Sequence, residues 1–437
     1  MTDYAKEKIL YDIWLTTRLS AGSRAYEKLF ECYPTAYDIY RAEPEELERI
    51  GVSARLIASL SSKDLRHAQQ ALEFCLKKDV RLVLRGDPDY PERLDSIPNP
   101  PYALYVKGSL KKADNDLSTA IVGTRTMSEY GMRMAYKISY ELASAGATVI
   151  SGMALGVDGV AAVGALEAQG DTIAVLGCGL DKVYPPEHRK LMGIIAERGA
   201  LVSEYAPGTP PMGGNFPVRN RIISGLARST LVVEGGINSG SMLTAREAIR
   251  QGRDIFALPG NIGASNSLGT NLLIRDGARV VLSARDLLCV RDADEIDLDR
   301  LADAELRSDL DVSILRYYGV TPVEAPALQE SHPVPVEMIE KQVRVEKREK
   351  TPVRKRELPP AEKAVPPAQK KNIPTLPALE EGKCKEIYES MPIGEAVTAD
   401  FFAALVSDPG ELVGYLSMLE VMGYILCIPG GTYLREI

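Results

Sequence analysis

The densest potential chemistry in this 437-residue sequence lies in Asn215-Phe216-Pro217-Val218-Arg219-Asn220-Arg221. Two arginines flank an asparagine, an aromatic stands just before them, and a helical pattern begins there. Guanidinium groups give charge-assisted hydrogen bonds to phosphate. Asparagine and an aromatic ring suit a sugar-phosphate backbone and its bases. An arginine pair at a helix start opposes the helix macrodipole. A purely structural reading therefore needs a compensating anion, for which Glu204 or Glu234 would serve.

Three further loops have anion-binding character. Gly123-Thr124-Arg125 joins a turn-forming glycine to a guanidinium suited to phosphate. Ser151-Gly152-Met153-Ala154-Leu155-Gly156-Val157-Asp158 runs straight into a helix, whose first N–H groups face any bound anion. Asp158 fits an N-cap better than a catalytic role. Glu234-Gly235-Gly236-Ile237-Asn238-Ser239-Gly240-Ser241 forms a second nest before a helix that contains Thr244. Expected nucleic-acid contacts are Gly123, Thr124, Arg125, Ser151, Gly152, Gly156, Arg219, Asn220, Arg221, Ser239 and Gly240. Expected supporting residues are Asp158, Glu234, Thr244, Gly260 and Asn271.

Other chemistries find little footing. Residues 123–131 lack the GxGxxG fingerprint, and no acidic residue ends the next strand, which disfavours a dinucleotide. No GxxxxGK[ST] element is present, so nucleotide hydrolysis at a P-loop is not supported. Cys178 has no neighbouring base in sequence and reads as a small packed residue. The three histidines, His67, His188 and His332, lie far apart, which argues against a Ser-His-Asp triad or a metal centre. No catalytic residue, metal or cofactor is expected.

These loops need a scaffold that gathers them, and the pattern supplies one. Of 36 glycines, 25 fall between Gly108 and Gly277, where short β-branched runs alternate with helical patterns. Strands are expected at 119–122, 147–150, 172–176, 200–203, 230–233, 254–257 and 278–282. Helices are expected at 128–144, 157–168, 186–198, 218–227, 240–250 and 270–276. Such alternation builds βαβ units, and ligands sit at the carboxyl ends of the strands. The expected fold is α/β: an extended Rossmann-like, doubly wound, mainly parallel sheet.

Four segments follow. Residues 1–78 form a helical, SAM/helix-hairpin-helix-like domain, in which the Gly51 turn suits either plain helix packing or phosphate contact. Residues 79–292 are expected to form a Rossmann-like domain that binds nucleic acid. Its first part, 80–107, reads as a connector whose prolines set extended and turn geometry. Residues 293–378 are an acidic, then proline-rich basic linker, largely disordered by composition. Residues 379–437 are winged-helix-like, with helices at 380–390, 398–405 and 409–422 and two strands around Gly430-Gly431. The third of those helices holds no Lys or Arg, which favours protein contact or packing over DNA reading.

Composition narrows the class. The formal charge is −8, from 52 Lys+Arg and 60 Asp+Glu. Residues 341–371 hold 11 Lys+Arg and 4 Glu, a net of +7, so the remainder sums to −15. An acidic chain of this kind can hold a local basic pocket but attracts little duplex elsewhere. Apolar runs fall far short of the ~20 residues of a membrane helix. The first ten residues lack a signal-peptide core, and six scattered cysteines suit a reducing cytoplasm.

The blocks at 120–125, 151–158, 203–205, 215–226, 233–244, 257–260 and 268–279 resemble, in order, those of the DNA processing protein A family (DprA, also called Smf). The runs Phe216-Pro217-Val218-Arg219-Asn220-Arg221-Ile222-Ile223-Ser224-Gly225-Leu226 and Gly240-Ser241-Met242-Leu243-Thr244-Ala245-Arg246-Glu247-Ala248 are the most specific. The resemblance implies binding of single-stranded DNA without hydrolysis. It also implies protection of incoming strands in natural transformation, loading of a RecA-type recombinase, and a homodimer through the Rossmann-like domain. By motif, Arg125 would contact phosphates, Arg219-Asn220-Arg221 would line or brace the pocket, and Ser151, Gly152 and Gly240 would shape its floor. The chain departs from the pattern at Ala162, where the family usually has His, and at Leu155, where many members have Arg. A looser echo of LOG-type nucleotide phosphoribohydrolases, in Gly235-Gly236, Gly240 and Glu247, gives the alternative: nucleoside monophosphate hydrolysis with Glu234 or Glu247 in acid/base work.

Overall fold

A computed structural model describes residues 3–111, 113–114, 116–288, 304–305 and 307–320, together with 383–392, 396–402, 406, 412, 415–416, 419, 425–428 and 432–435. Residues 1–325 form one compact unit and 326–437 a second.

In the first unit the chain opens with helices α1 (Asp3–Arg18), α2 (Ala25–Cys32), α3 (Ala36–Arg41), α4 (Pro44–Arg49), α5 (Ala54–Ser61) and α6 (Arg66–Lys78). Thr35 and Asp38 form a capping box at the start of α3, and Ser53 caps α5. Gly51, between α4 and α5, has φ +71°. This is the left-handed turn that glycine enters without a Cβ penalty. Its carbonyl accepts from Lys28 Nζ at 2.7 Å.

The stretch expected as a connector holds two strands. β1 (Arg81–Leu84) and β2 (Ala103–Gly108) flank a short α7 (Glu92–Asp95). The prolines of 88–101 cluster between them and leave the apolar flanks free to pair. Val83, Leu104 and Val106 are buried, so pairing these flanks adds an antiparallel extension to the sheet.

The glycine-rich region follows the expected alternation: β3 (Thr119–Val122), α8 (Glu129–Ser144), β4 (Val149–Ser151), α9 (Val157–Glu167), β5 (Thr172–Leu176), α10 (Arg189–Arg198), β6 (Ala200–Ser203), α11 (Asn215–Leu226), β7 (Ser229–Val232), α12 (Gly240–Arg250), β8 (Asp254–Ala257), α13 (Leu268–Arg275), β9 (Arg279–Val280) and α14 (Arg285–Leu288). A further helix, α15 (Val312–Tyr318), packs near α9. The sheet has nine strands in the order β1-β2-β6-β5-β4-β3-β7-β8-β9. It is parallel from β6 to β9, while β1–β2 and β2–β6 are antiparallel.

Strand alternation explains two cores. Ile121 of β3 joins the core that also holds Trp14, Tyr105 and Val160, while Ala120 and Val122 face the core that holds Leu94, Ile223 and Ala245. The helical segment and the sheet therefore share apolar packing. β3 pairs with β4 on one side and β7 on the other, and the chain reverses its winding there. That switch point opens a crevice at the strand carboxyl ends.

In the second unit, α16 (Lys383–Ser390) precedes β10 (Ala396–Thr398), β11 (Ile425–Ile428) and β12 (Thr432–Arg435), which pair antiparallel in the order β10-β12-β11. Ile387, Phe402, Leu416 and Ile425 share its core. The helix expected over 398–405 is replaced at its start by β10 and a 3-10 turn, Ala399–Phe402. The β-branched Val397 and Thr398 pair with Tyr433 and Thr432 instead of winding. The linker 341–371, most of 409–422 and the Gly430-Gly431 turn lie outside the described residues.

Candidate nucleic-acid interface

The loop after β3 and the loop after β7 meet at the switch point, where Thr124 N donates to Glu234 O at 2.8 Å. The loop after β4 presses on the first of these. Gly156 has φ +78°, and a Cβ there would stand 2.3 Å from Thr124 O, so only glycine allows this approach. A Cβ at Gly123 would likewise meet Val157 Cγ2 at 2.5 Å. Thr124 Oγ1 accepts from Thr126 N at 3.2 Å and shapes the turn that presents Arg125.

Arg125 is exposed and makes no hydrogen bond or ion pair among the described residues. Its guanidinium carbon stands 5.8 Å from the centroid of Phe216. Arg219 stands 5.9 Å from the same ring. Phe216 is half-buried and also meets Tyr184, with centroids 5.2 Å apart. One free cation thus stands beside a shelf of two aromatic rings. Guanidinium over an aromatic face is itself favourable, and it leaves the N–H fork at the ring's edge to bind an anion.

Arg219 has a different task. It is buried, and its Nη1 donates to Val175 O at 2.8 Å. A Cβ at Gly152 would stand 1.8 Å from Nη1, so Gly152 makes room for the guanidinium. Asp158 is the second residue of α9 rather than its N-cap, a position held by Gly156. Its Oδ2 accepts from Gly152 N at 3.1 Å and Ala154 N at 3.4 Å, bracing the loop after β4. Burial raises the Asp158 pKa, opposed first by the Arg219 charge, and burial lowers that of Arg219, opposed first by Asp158. The two charges offset each other's desolvation, so the positive field beside Phe216 comes from the exposed Arg125.

Arg221 does not join this field. It is buried against Glu204, with Nη2 to Oε1 at 2.7 Å, and Gly22 N donates to the same oxygen at 3.1 Å. Glu204 is the compensating anion that an arginine pair at a helix start requires. The guanidinium of Arg221 therefore ties α11 to the α1–α2 turn and is closed to phosphate. Ser151 is also withdrawn: its buried hydroxyl donates to Ile121 O at 2.7 Å. Neither side chain is open as the nucleic-acid contact expected of it, because a better intramolecular partner lies within reach.

The remaining residues brace the rim. Asn220 Nδ2 donates to Gly240 O at 3.3 Å and sets the start of α12. The hydroxyls of Ser239 and Ser241 are 2.7 Å apart, and Gly240 is exposed with open space at its Cβ position. Glu234 holds the start of α8, accepting from Ser128 N at 2.9 Å and from the Ser128 hydroxyl. Asn271 clamps Gly260 on both sides, with bonds of 3.2 and 3.1 Å. Thr244 is buried in α12. Sequence reasoning missed Tyr184. An aromatic in the long loop after β5, between Lys182 and two prolines, was its only signal. It also missed that His188, whose Nδ1 lies 3.1 Å from Met153 O, fixes the loop after β4. Burial lowers the His188 pKa and raises the Cys178 thiol to about 11, so the imidazole favours its neutral form and the thiol stays protonated near neutral pH.

A doubly wound sheet with an exposed arginine and two aromatic rings at its switch point defines a Rossmann-like protein. The comparisons make this specific. The family described as DNA recombination-mediator protein A matches residues 81–291. Protein Smf of Synechocystis sp. is 38% identical over 272 residues, spanning 61% of this chain and 68% of that protein. The DNA processing protein DprA of Streptococcus pneumoniae is 40% identical over 202 residues, spanning 46% of this chain and 71% of that protein. The X-ray structure of the Streptococcus pneumoniae protein aligns with a TM-score of 0.56 at 30% identity, covering 65% of this chain and 98% of that one. The chain belongs to the DNA processing protein A (DprA/Smf) family, a family of DNA-processing recombination mediators.

Proposed function

We propose that this chain binds single-stranded DNA at the switch-point crevice and acts there as a recombination mediator. The observation that carries the reading is Arg125, an exposed guanidinium over Phe216, backed by the buried Arg219. A flexible strand can offer phosphate to Arg125 and stack bases on Phe216 and Tyr184 together. A duplex keeps its bases stacked inside. Gly123, Thr124, Gly152, Gly156, Ser239 and Gly240 shape the crevice wall.

The chain acts in the cytoplasm as a homodimer, in our reading. Ile262, Val280 and Leu282 are exposed, and Val280 lies on β9, the edge strand of the sheet among the described residues. A second copy covering that apolar edge would double the footprint on one strand and raise avidity. The 379–437 segment is a winged-helix-like contact module, and a RecA-type recombinase receives the strand. The mediator role needs no catalysis. Both oxygens of Glu234 are engaged by Ser128, and Glu247 pairs with Arg250 at 2.9 Å, so neither favours phosphoribohydrolysis. Mobility shift with single- and double-stranded oligonucleotides tests the reading. Preference for the single strand, lost in Arg125→Ala, is expected; equal affinity for both forms contradicts it.

A further inference from the structure

A cleft of about 1100 Å³ lies among α1, α2, α3 and the segments around residues 84–87 and 99–102. Its chemistry is opposite to that of the crevice. Tyr26 and Phe30 stack on Tyr102, with centroids 4.8 and 4.9 Å apart, and Tyr11 meets Tyr37 at 4.7 Å. Glu7, Glu27 and Asp87 stand exposed on its lining. The lining holds two basic residues against five acidic ones: Arg85 is already paired with Asp95 at 2.6 Å and Glu27 at 3.6 Å, and Lys8, one turn before Asp12 on α1, is exposed and acts on Asp12 by its charge.

Asp12 lines the same cleft and is only 3% exposed. Its Oδ1 accepts from the Tyr102 hydroxyl at 2.8 Å, while Oδ2 has no hydrogen-bond partner among the described residues. A buried carboxylate oxygen without a donor is costly, and a cationic donor that reached it from outside would repay that cost. The acidic lining repels phosphate, and the tyrosine faces attract cations. The volume exceeds one side chain and suits several residues of an extended peptide, the form that aromatic grooves recognise.

We propose that this cleft binds a peptide segment of a partner protein that carries lysine or arginine, whose cationic group reaches Asp12 Oδ2 and whose apolar neighbours lie on the aromatic wall. The test uses the full chain and a fluorescent, proline-rich synthetic peptide with a single arginine. Its control is the same peptide with citrulline in place of arginine. Fluorescence anisotropy is expected to show binding of the arginine peptide and about tenfold weaker binding of the control. Asp12→Asn keeps the acceptor for Tyr102 and removes the desolvated charge. It is expected to weaken the arginine peptide about tenfold while the melting temperature stays equal or rises. Tyr37→Ala, at an exposed position, weakens binding by a smaller factor and preserves the fold. Equal affinity for the two peptides, or no binding of either, overturns the proposal. So does an Asp12→Asn variant that melts lower with unchanged peptide affinity, because Asp12 is then structural. Loss of oligonucleotide affinity in Asp12→Asn would instead assign the cleft to nucleobases and also overturn it.

Discussion

The loop after β3 and the first turns of α11 both carry arginine, and the structure uses them in opposite ways. Arg125 is exposed, with only an aromatic face beside it, whereas Arg219 and Arg221 are buried and bonded to Val175 O and Glu204. Residue type alone does not separate a ligand contact from a brace. What separates them is whether a partner inside the fold reaches the guanidinium first. Glu204 reaches Arg221, and the Gly152 gap admits Arg219. At Arg125 the ring of Phe216 offers a cation–π contact but leaves the N–H groups unspent.

The comparison breaks most sharply at the ion pair. Glu204→Leu strands a buried guanidinium, and the cost should be about 3–5 kcal/mol of unfolding free energy, measured in urea. Affinity of the folded fraction for single strands should stay near wild type. A binding loss without destabilisation would place Arg221 in the interface. Next in size, Arg125→Ala should lose about 1.5–3 kcal/mol of binding with an unchanged melting temperature. Phe216→Leu keeps the apolar volume near Gly177 but removes the ring face, and should cost about 1–2 kcal/mol of oligonucleotide affinity. Full affinity in that variant would show that the bases do not stack there.

The smallest effect concerns pH. Burial depresses the His188 pKa below its ordinary 6.5, so the unfolded chain takes up the proton first on acidification. Stability from this group is present above the unfolded pKa and is lost as pH falls toward the folded one. The melting temperature should therefore fall between neutral pH and pH 5. His188→Gln should lack that part of the decline, and an identical pH profile would remove His188 from the loop's support.

Much of this was legible in the residues. Glycine density and β-branched runs placed β3, β5, β6 and β8 at their observed bounds, because parallel strands buried on both faces have little compositional freedom. β1 and β2 were hidden because Pro88, Pro91, Pro98, Pro100 and Pro101 dominate the segment between two short apolar flanks. At the candidate site, Arg125 stood out because a glycine turn at a strand end exposes its neighbour. Ser151, Arg219 and Arg221 could not be sorted in the same way. Their roles depend on Ile121 O, Val175 O and Glu204, partners separated from them by 30, 44 and 17 positions and brought close only by the sheet. Asp12 was equally silent, since its partner Tyr102 lies 90 residues away.

The central claim is that one exposed guanidinium at the switch point grips a single strand. It is tested most directly by anisotropy of a labelled oligo-dT with wild type and Arg125→Ala across a salt series. The account predicts weaker binding in the variant and a slope of log affinity on log salt that is flatter by about 0.7, the release expected for one single-strand phosphate contact. Superimposable salt curves would contradict it.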